Sequence, residues 1–152
     1  MQVKNIISYI SEFAPENLSL EWDNVGFQIG DKEDQVENIL VTLDINLEVI
    51  KEAQRKNCNL IISHHPLIFN SLYSINKNSE TGKIIISALK NNINIYSAHS
   101  NLDIAWGGLN DYLGKKLSLK GLTPLKTTFS KKLYKFVLFI PESHFEKVKE
   151  EI

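Results

Sequence analysis

The chain contains 152 residues, of which 43% are hydrophobic and 23% are charged. This length fits a single domain, and the composition is that of a folded globular protein, which excludes disordered, collagen-like and disulfide-stapled chains. Seventeen lysine and arginine residues against 18 aspartate and glutamate residues give a formal net charge of -1, and the scattered basic residues argue against nucleic-acid binding.

The single cysteine, Cys58, excludes an internal disulfide, and its position before an apolar run favours a small buried side chain. No apolar stretch has the length of a transmembrane segment, and the first ten residues mix polar with apolar side chains, unlike a signal peptide. We therefore expect a cytoplasmic protein without a membrane partner.

The first predicted element is an amphipathic helix. Ile6, Ile7, Ile10 and Phe13 recur at helical spacing, and Pro15 closes the segment. Residues 20–30 then contain two glycines among polar and aromatic residues, which predicts an irregular loop leading into a short extended segment.

A strand-helix-strand unit follows. Residues 39–43 form an apolar, largely β-branched run, and Asn46 can cap a helix whose apolar side chains include Ile50. A second apolar run at residues 60–62 ends at the sequence Ser-His-His-Pro of residues 63–66. Nearly continuous apolar strands joined through a helix are typical of a parallel sheet that is covered on both faces.

The same unit repeats further along the chain. A helix is predicted over residues 81–90, a strand over 93–97 and another helix over 109–117. A last strand is predicted over residues 133–140, followed by a helix after Pro141. The sequence therefore predicts a three-layer α/β fold with a largely parallel mixed sheet built from βα units.

The final helix defines a predicted boundary. It has neither a C-cap nor a complete apolar face, and a helix of about ten residues is marginal without tertiary packing. We expect residues 1–140 to form an α/β metal-binding domain and residues 141–152 to begin a truncated helix or an inserted domain.

Histidine and aspartate side chains follow two of the predicted strands. His64 and His65 come directly after residues 60–62, while His99 and Asp103 come after residues 93–97. Right-handed crossovers bring the carboxyl ends of parallel strands to one edge, where ligands bind in open sheets. Imidazole and carboxylate together suit divalent Zn, Mn, Fe, Co or Ni. The pattern predicts a metal site, although such a histidine pair can also be a hydrogen-bonded structural feature.

Two further features each have two interpretations. Asp44 is either a ligand or a partner of a ligand histidine, or else it caps the following helix or turn, which is the more frequent use. Gly107 and Gly108 either present backbone N–H groups to an anion or form a simple turn, again the more frequent use. His144 is expected to be a solvated surface residue. Neither Ser63 nor Ser100 lies in a nucleophile elbow.

Three blocks of sequence carry a family resemblance. They are EWDNVGFQIG at residues 21–30, LIISHHPLIF at 60–69, and HSNLD at 99–103 with GGLN at 107–110; VTLD at 41–44 with Glu48 and Val49 adds a fourth, weaker block. With these blocks in this order, the sequence resembles the N-terminal portion of the NIF-three-like family of dinuclear-metal-centre proteins, which are also called GTP cyclohydrolase I type 2 homologues.

The resemblance implies roles for individual residues. His64 and His65 would ligate different ions of a pair of divalent metals, and Asp103 would ligate one of them. His99 would lie near the site as a second-shell or substrate-facing group, whereas the W-D-N-x-G block receives no role. Family members complete the centre with a histidine and a glutamate from a C-terminal segment, and nothing after Ser143 supplies them here.

Two functions are compatible with these observations. The first is a metal-dependent hydrolase acting on a nucleotide-like or other small molecule, with GTP ring opening suggested by the family name. The second is a non-enzymatic metal-binding or assembly protein. The resemblance also implies a homo-oligomer, a hexamer in the full-length form. No general acid or base is assigned.

Overall fold

The computed structural model describes residues 1–127 and 132–151. Two short 3-10 helices, Glu16–Leu18 and Glu142–His144, accompany the main elements. Those elements are, in chain order, α1 (Val3–Phe13), β1 (Gly26–Ile29), β2 (Ile39–Thr42), α2 (Leu47–Arg55), β3 (Leu60–Ser63), α3 (Glu80–Lys90), β4 (Asn94–Ser97), α4 (Ser100–Ile104), α5 (Leu109–Lys116) and α6 (Phe145–Glu151).

The strands form one mixed sheet with the order β1-β4-β3-β2. Strands β2, β3 and β4 are parallel, with Leu60 paired to Ile39 on one side and to Asn94 on the other. Strand β1 is antiparallel to β4 and pairs Gly26 with Ser97. The largely parallel mixed sheet is therefore confirmed, and the short extended segment expected within residues 20–30 is β1.

Helices cover both faces of the sheet. On one face, Ile61 and Ile95 pack in a core with the apolar sides of α2 and α3. On the other face, Leu60 and Tyr96 pack with Val3 and its neighbours on α1. Consecutive strand residues point to opposite faces, so the unbroken apolar runs supply both cores at once. This arrangement confirms the expected three layers.

Polar side chains fix the helix starts. The Asn46 side chain accepts a hydrogen bond from the Val49 N–H at 3.0 Å and so caps α2 as expected. The Ser79 hydroxyl accepts a hydrogen bond from the Gly82 N–H at 3.1 Å and caps α3 in the same way. Cys58 is buried, as the sequence predicts for a small apolar side chain.

The predicted strand over residues 133–140 is wrong. The structure assigns neither helix nor strand to residues 132–140, and Phe136 and Phe139 are 76% and 94% exposed. An apolar alternating pattern shows what can pack on a sheet, but a strand also requires a neighbour for its hydrogen bonds. No strand in residues 1–127 or 132–151 pairs with this segment.

The helix expected after Pro141 is present as α6. Residue 152 lies outside the described residues, and the boundary between residues 140 and 141 stays a prediction. None of the helices in the described part of the chain has the length and apolar character that a bilayer crossing requires.

Candidate functional site

The carboxyl ends of β3 and β4 meet at one edge of the sheet. A buried hydrogen bond of 2.8 Å joins the hydroxyl groups of Ser63 and Ser97, the last residues of the two strands. The Ser63 hydroxyl also donates to the carbonyl oxygen of His65 at 2.9 Å. These bonds hold the chain that leaves β3 close to the chain that leaves β4.

Three histidine rings converge at this edge. The ring centroids of His64 and His65 lie 5.1 Å apart, and His99 lies 5.0 Å from the first and 5.5 Å from the second. One ligand atom of each ring falls within 4.8 Å of those of the other two. The sequence expectation that the two loops meet at one edge is therefore met by the geometry.

Hydrogen bonds determine the tautomers of the adjacent histidines. Nδ1 of His64 lies 2.9 Å from the carbonyl oxygen of Ala98, and Nδ1 of His65 lies 2.7 Å from a carboxylate oxygen of Asp44. Both partners can only accept, so each Nδ1 carries the proton and donates it. Each Nε2 then keeps a free lone pair, which is the state that a metal ligand requires.

His99 is oriented in the same way by a residue that sequence reasoning missed. Its Nδ1 donates to the Asp23 carboxylate at 2.9 and 3.0 Å. The same carboxylate accepts hydrogen bonds from the backbone N–H of Ser100, at 3.0 Å, and from the Ser100 hydroxyl. The Asp23 side chain is fully buried, so it fixes both His99 and the first residue of α4.

The hydrogen bonds also control the ionisation of Asp23. Burial alone raises the pKa of this carboxyl, but hydrogen bonds from Ser100 and His99 outweigh burial and hold the pKa below its ordinary value of 3.8. Asp23 is therefore a carboxylate at neutral pH, and the His99 ring has a permanent acceptor at Nδ1.

Asp103 contributes an oxygen atom that has no partner. It lies in the first turn of α4, and its Oδ1 is 3.8 Å from Nε2 of His64. This oxygen is buried and accepts no hydrogen bond within the described part of the chain. An unpartnered buried carboxylate oxygen is costly, and a cation placed between it and the imidazole lone pair of His64 could supply the missing partner.

The structure gives one role each to Asp44 and to the pair Gly107 and Gly108. Asp44 accepts the hydrogen bond from His65, and Asn46 caps the helix instead, so the capping interpretation of Asp44 was wrong. The N–H groups of Gly107 and Gly108 donate within the chain, to the side chain of Asp111 and to the carbonyl of Ala105. The two glycines therefore form a turn and present no free N–H pair to an anion.

His144 is exposed, and its ring lies beside the Ser143 hydroxyl. It is the one histidine of the four outside the imidazole cluster. The cluster of His64, His65 and His99 could hold a metal ion, and Asp103 stands next to it with a further oxygen ligand.

Comparison with known proteins places the chain among its relatives. A model of the Duf34/NIF3 family (NGG1p interacting factor 3) matches residues 1–151. A Bacillus subtilis protein called GTP cyclohydrolase 1 type 2 homolog is 39% identical over 146 residues, which are 96% of this chain and 39% of that protein. A Clostridium perfringens protein of the same name is 47% identical over 113 residues, which are 74% of this chain and 43% of that protein.

A solved structure agrees with these matches. The Bacillus cereus protein related to NIF3 superposes with a TM-score of 0.75 at 43% identity, over 79% of this chain and 33% of that one. The chain thus spans between 33% and 43% of the length of these three relatives. Because the family model covers almost every residue, the chain belongs to the Duf34/NIF3 family.

Proposed function

We propose that this chain binds two divalent transition-metal ions through His64, His65 and Asp103, as the metal centre of a hydrolase that acts on a small nucleotide-like molecule. The observation that carries the proposal is the unpartnered Oδ1 of Asp103 beside the free Nε2 of His64. A cation between these two atoms would supply the missing partner of both.

The distance between the two atoms fits a shared ion. Zinc binds imidazole nitrogen and carboxylate oxygen at about 2.0–2.2 Å. Two such ligands therefore lie about 3.3 Å apart at a tetrahedral angle and about 4.1 Å apart on opposite sides of the ion. The observed 3.8 Å between Nε2 of His64 and Oδ1 of Asp103 falls between these values, so the donors need little movement.

The donor set supports a transition metal and leaves its identity open. Neutral imidazole and carboxylate suit Zn, Mn, Fe, Co or Ni, whereas calcium prefers oxygen ligands alone. The three histidine donors lie within 4.8 Å of one another, and the ions of a two-metal site are about 3.5–4 Å apart, so His64 and His65 could each bind one ion of such a pair. A bound pair of ions would supply hydroxide at neutral pH and polarise the bond to be broken.

The surrounding residues orient the donors. Asp44 and the Ala98 carbonyl fix the rings of His65 and His64 with Nε2 available. Such hydrogen bonds also raise the basicity of ligand imidazoles. His99, held by Asp23, faces the same space, and we assign it to contact with the substrate. It could also serve as a fourth protein ligand, because its donor atom lies with those of the other two rings.

The substrate class rests on the relatives. The curated relatives carry the name GTP cyclohydrolase 1 type 2 homolog, which supports a nucleotide such as GTP as the first substrate to test. The activity of a full-length relative is part of the proposal, because this chain spans about two fifths of the B. subtilis protein.

Metal content after purification without chelator tests the proposal. The full chain is compared with a His64→Ala, His65→Ala double variant and with His144→Ala, which removes the histidine outside the cluster. Mass spectrometry is expected to find up to two transition-metal ions per chain in the wild type and in His144→Ala, and none in the double variant. A folded wild-type chain that stays free of metal after incubation with Zn, Mn, Fe, Co and Ni would contradict it.

Turnover separates the two candidate functions. The metal-loaded wild type is incubated with GTP, and the products are separated by chromatography. Consumption of GTP that disappears in the double variant supports the hydrolase. Metal binding without any turnover would instead favour a non-enzymatic protein that handles metal or assembles around it.

A further inference from the structure

Two large aromatic side chains lie exposed beside His99. Trp22 is 61% exposed and Phe69 is 46% exposed, and their ring centroids are 6.0 Å apart at an interplanar angle of 57°. The His99 ring meets the first at 6.3 Å and 77° and the second at 6.5 Å and 85°. Trp22 and Phe69, called the aromatic wall below, therefore form an apolar surface that continues directly into the imidazole cluster.

Hydrogen bonds hold the two loops of the aromatic wall together. The Asn24 side chain donates to the carbonyl oxygen of Ile68. The Gln28 side chain accepts from the Ile68 N–H at 3.1 Å and donates to the Asn24 carbonyl oxygen at 3.0 Å. Each bond involves a residue directly beside or close to a wall residue. The rings are thus presented by a cross-linked pair of loops rather than by free ends of chain.

These contacts also explain the W-D-N-x-G block. Trp22 supplies a ring, Asp23 orients His99, and Asn24 binds the opposite loop. Exposed apolar side chains are common on protein surfaces and in this chain. Trp22 and Phe69 differ in that both rings are held against His99, where a ligand of the candidate metal centre would cover them.

We propose that the aromatic wall is a binding subsite for a flat aromatic or heteroaromatic ring of a small molecule whose polar end reaches the metal centre. This inference rests on the proposed function, because the polar end of the small molecule would bind at the proposed metal centre. Aromatic rings pair in offset-stacked or edge-to-face geometry at centroid distances of about 4.5–7 Å, and an exposed indole next to an exposed phenyl ring offers both. The subsite therefore selects flat rings over saturated ones.

The size of the aromatic wall favours a small molecule over a protein partner. A stable protein interface buries about 800 Å² on each side, whereas the wall consists of two side chains. It also adjoins His99, whose ring belongs to the donor cluster. A ring on the wall would therefore be placed for chemistry at the metal centre.

A pair of matched probes tests the inference. Naphthalene-2-carboxylate and decahydronaphthalene-2-carboxylate share a carboxylate and a carbon skeleton, but only the first is flat. Binding of each to the zinc-loaded full chain is measured by calorimetry, with competition for the weaker probe. The variants are Trp22→Leu, Phe69→Leu and Trp22→Phe, and Trp106→Leu is the control because it removes the other exposed tryptophan. Zinc content and molar mass by light scattering are measured on the same samples.

The wild type is expected to bind the flat probe several-fold more tightly than the saturated one. Trp22→Leu and Phe69→Leu each lower the affinity for the flat probe by about fivefold, which is the range of one aromatic pair. Trp22→Phe retains most of that affinity, and the saturated probe and the Trp106→Leu control change less than about twofold.

Four results would overturn the inference. Zinc-loaded protein that binds both probes with the same affinity has no subsite for flat rings. The same conclusion follows if Trp22→Leu lowers the affinity for both probes by the same factor. A change in molar mass in the wall variants without a change in probe binding would make the wall a protein interface. A wild-type chain that binds none of Zn, Mn, Fe, Co and Ni would refute the proposed function, and this inference with it.

Discussion

Replacing Asp103 by asparagine separates the cost of a buried unpartnered carboxylate from its use in metal binding. In the metal-free chain, Oδ1 of Asp103 is buried without a hydrogen-bond partner, which costs about 1–3 kcal/mol. The side chain as a whole is 37% exposed, so the lower end applies. The variant also loses a favourable charge in the first turn of α4, worth about 0.3–1 kcal/mol. We expect metal-free Asp103→Asn to be more stable than the wild type by up to about 0.7 kcal/mol.

Zinc is expected to reverse this order. At a free zinc concentration one hundred times the dissociation constant, binding stabilises the wild type by about 2.7 kcal/mol. If the amide weakens zinc binding a hundredfold, the same concentration stabilises the variant by only about 0.4 kcal/mol. The variant would then be less stable than the wild type by more than about 1 kcal/mol.

Urea unfolding at pH 8, with and without zinc, measures both differences. Glu37→Gln serves as the control, because this exposed carboxylate precedes β2 at the opposite edge of the sheet. The control variant should match the wild type in its free energy of unfolding, both without and with zinc. The reasoning is refuted if Asp103→Asn destabilises the metal-free chain, or if zinc stabilises variant and wild type equally.

Three further substitutions test the fold and the support of the site. Asp23→Asn removes a carboxylate whose pKa is held below 3.8. The ionised Asp23 side chain stabilises the fold above pH 3.8, and this stabilisation is lost as the pH falls through the lowered pKa. The destabilisation that urea unfolding measures for the variant should therefore be full at pH 7 and smaller at pH 3. Ile61→Ala, at a fully buried core position, should lower the free energy of unfolding by about 2–5 kcal/mol. Asn46→Ala removes the cap on the Val49 N–H and should cost about 1 kcal/mol, seen as a Tm about 2–4 °C lower.

Periodicity predicted the elements that bury a face against the sheet. Helices α1, α2 and α3 each show apolar residues at helical spacing, and β3 is an apolar run bounded by polar residues. Residues 133–140 carry a pattern just as apolar, yet they form no strand. The difference is the neighbour: β3 lies between β2 and β4, whereas no described strand flanks the later segment. Pairing is a tertiary property, and a local pattern does not contain it.

The sequence predicted those residues of the candidate site that directly follow strand ends. His64, His65, His99 and Asp103 follow parallel strands, so the sheet edge brings them together without further information. The partners of the histidines were harder. The bond between His99 and Asp23 spans 76 positions of sequence, and no spacing rule connects residues so far apart.

The direction of β1 explains why that partner lies where it does. Strands β2, β3 and β4 run in parallel, and the site residues follow their carboxyl ends. Strand β1 runs the opposite way beside β4, so the segment that precedes it reaches the same edge. Had β1 been parallel, Trp22 and Asp23 would lie at the far edge of the sheet and His99 would lack its acceptor. The antiparallel direction of β1 therefore places the W-D-N-x-G block beside the imidazole cluster, where its Asp23 accepts the hydrogen bond that orients His99.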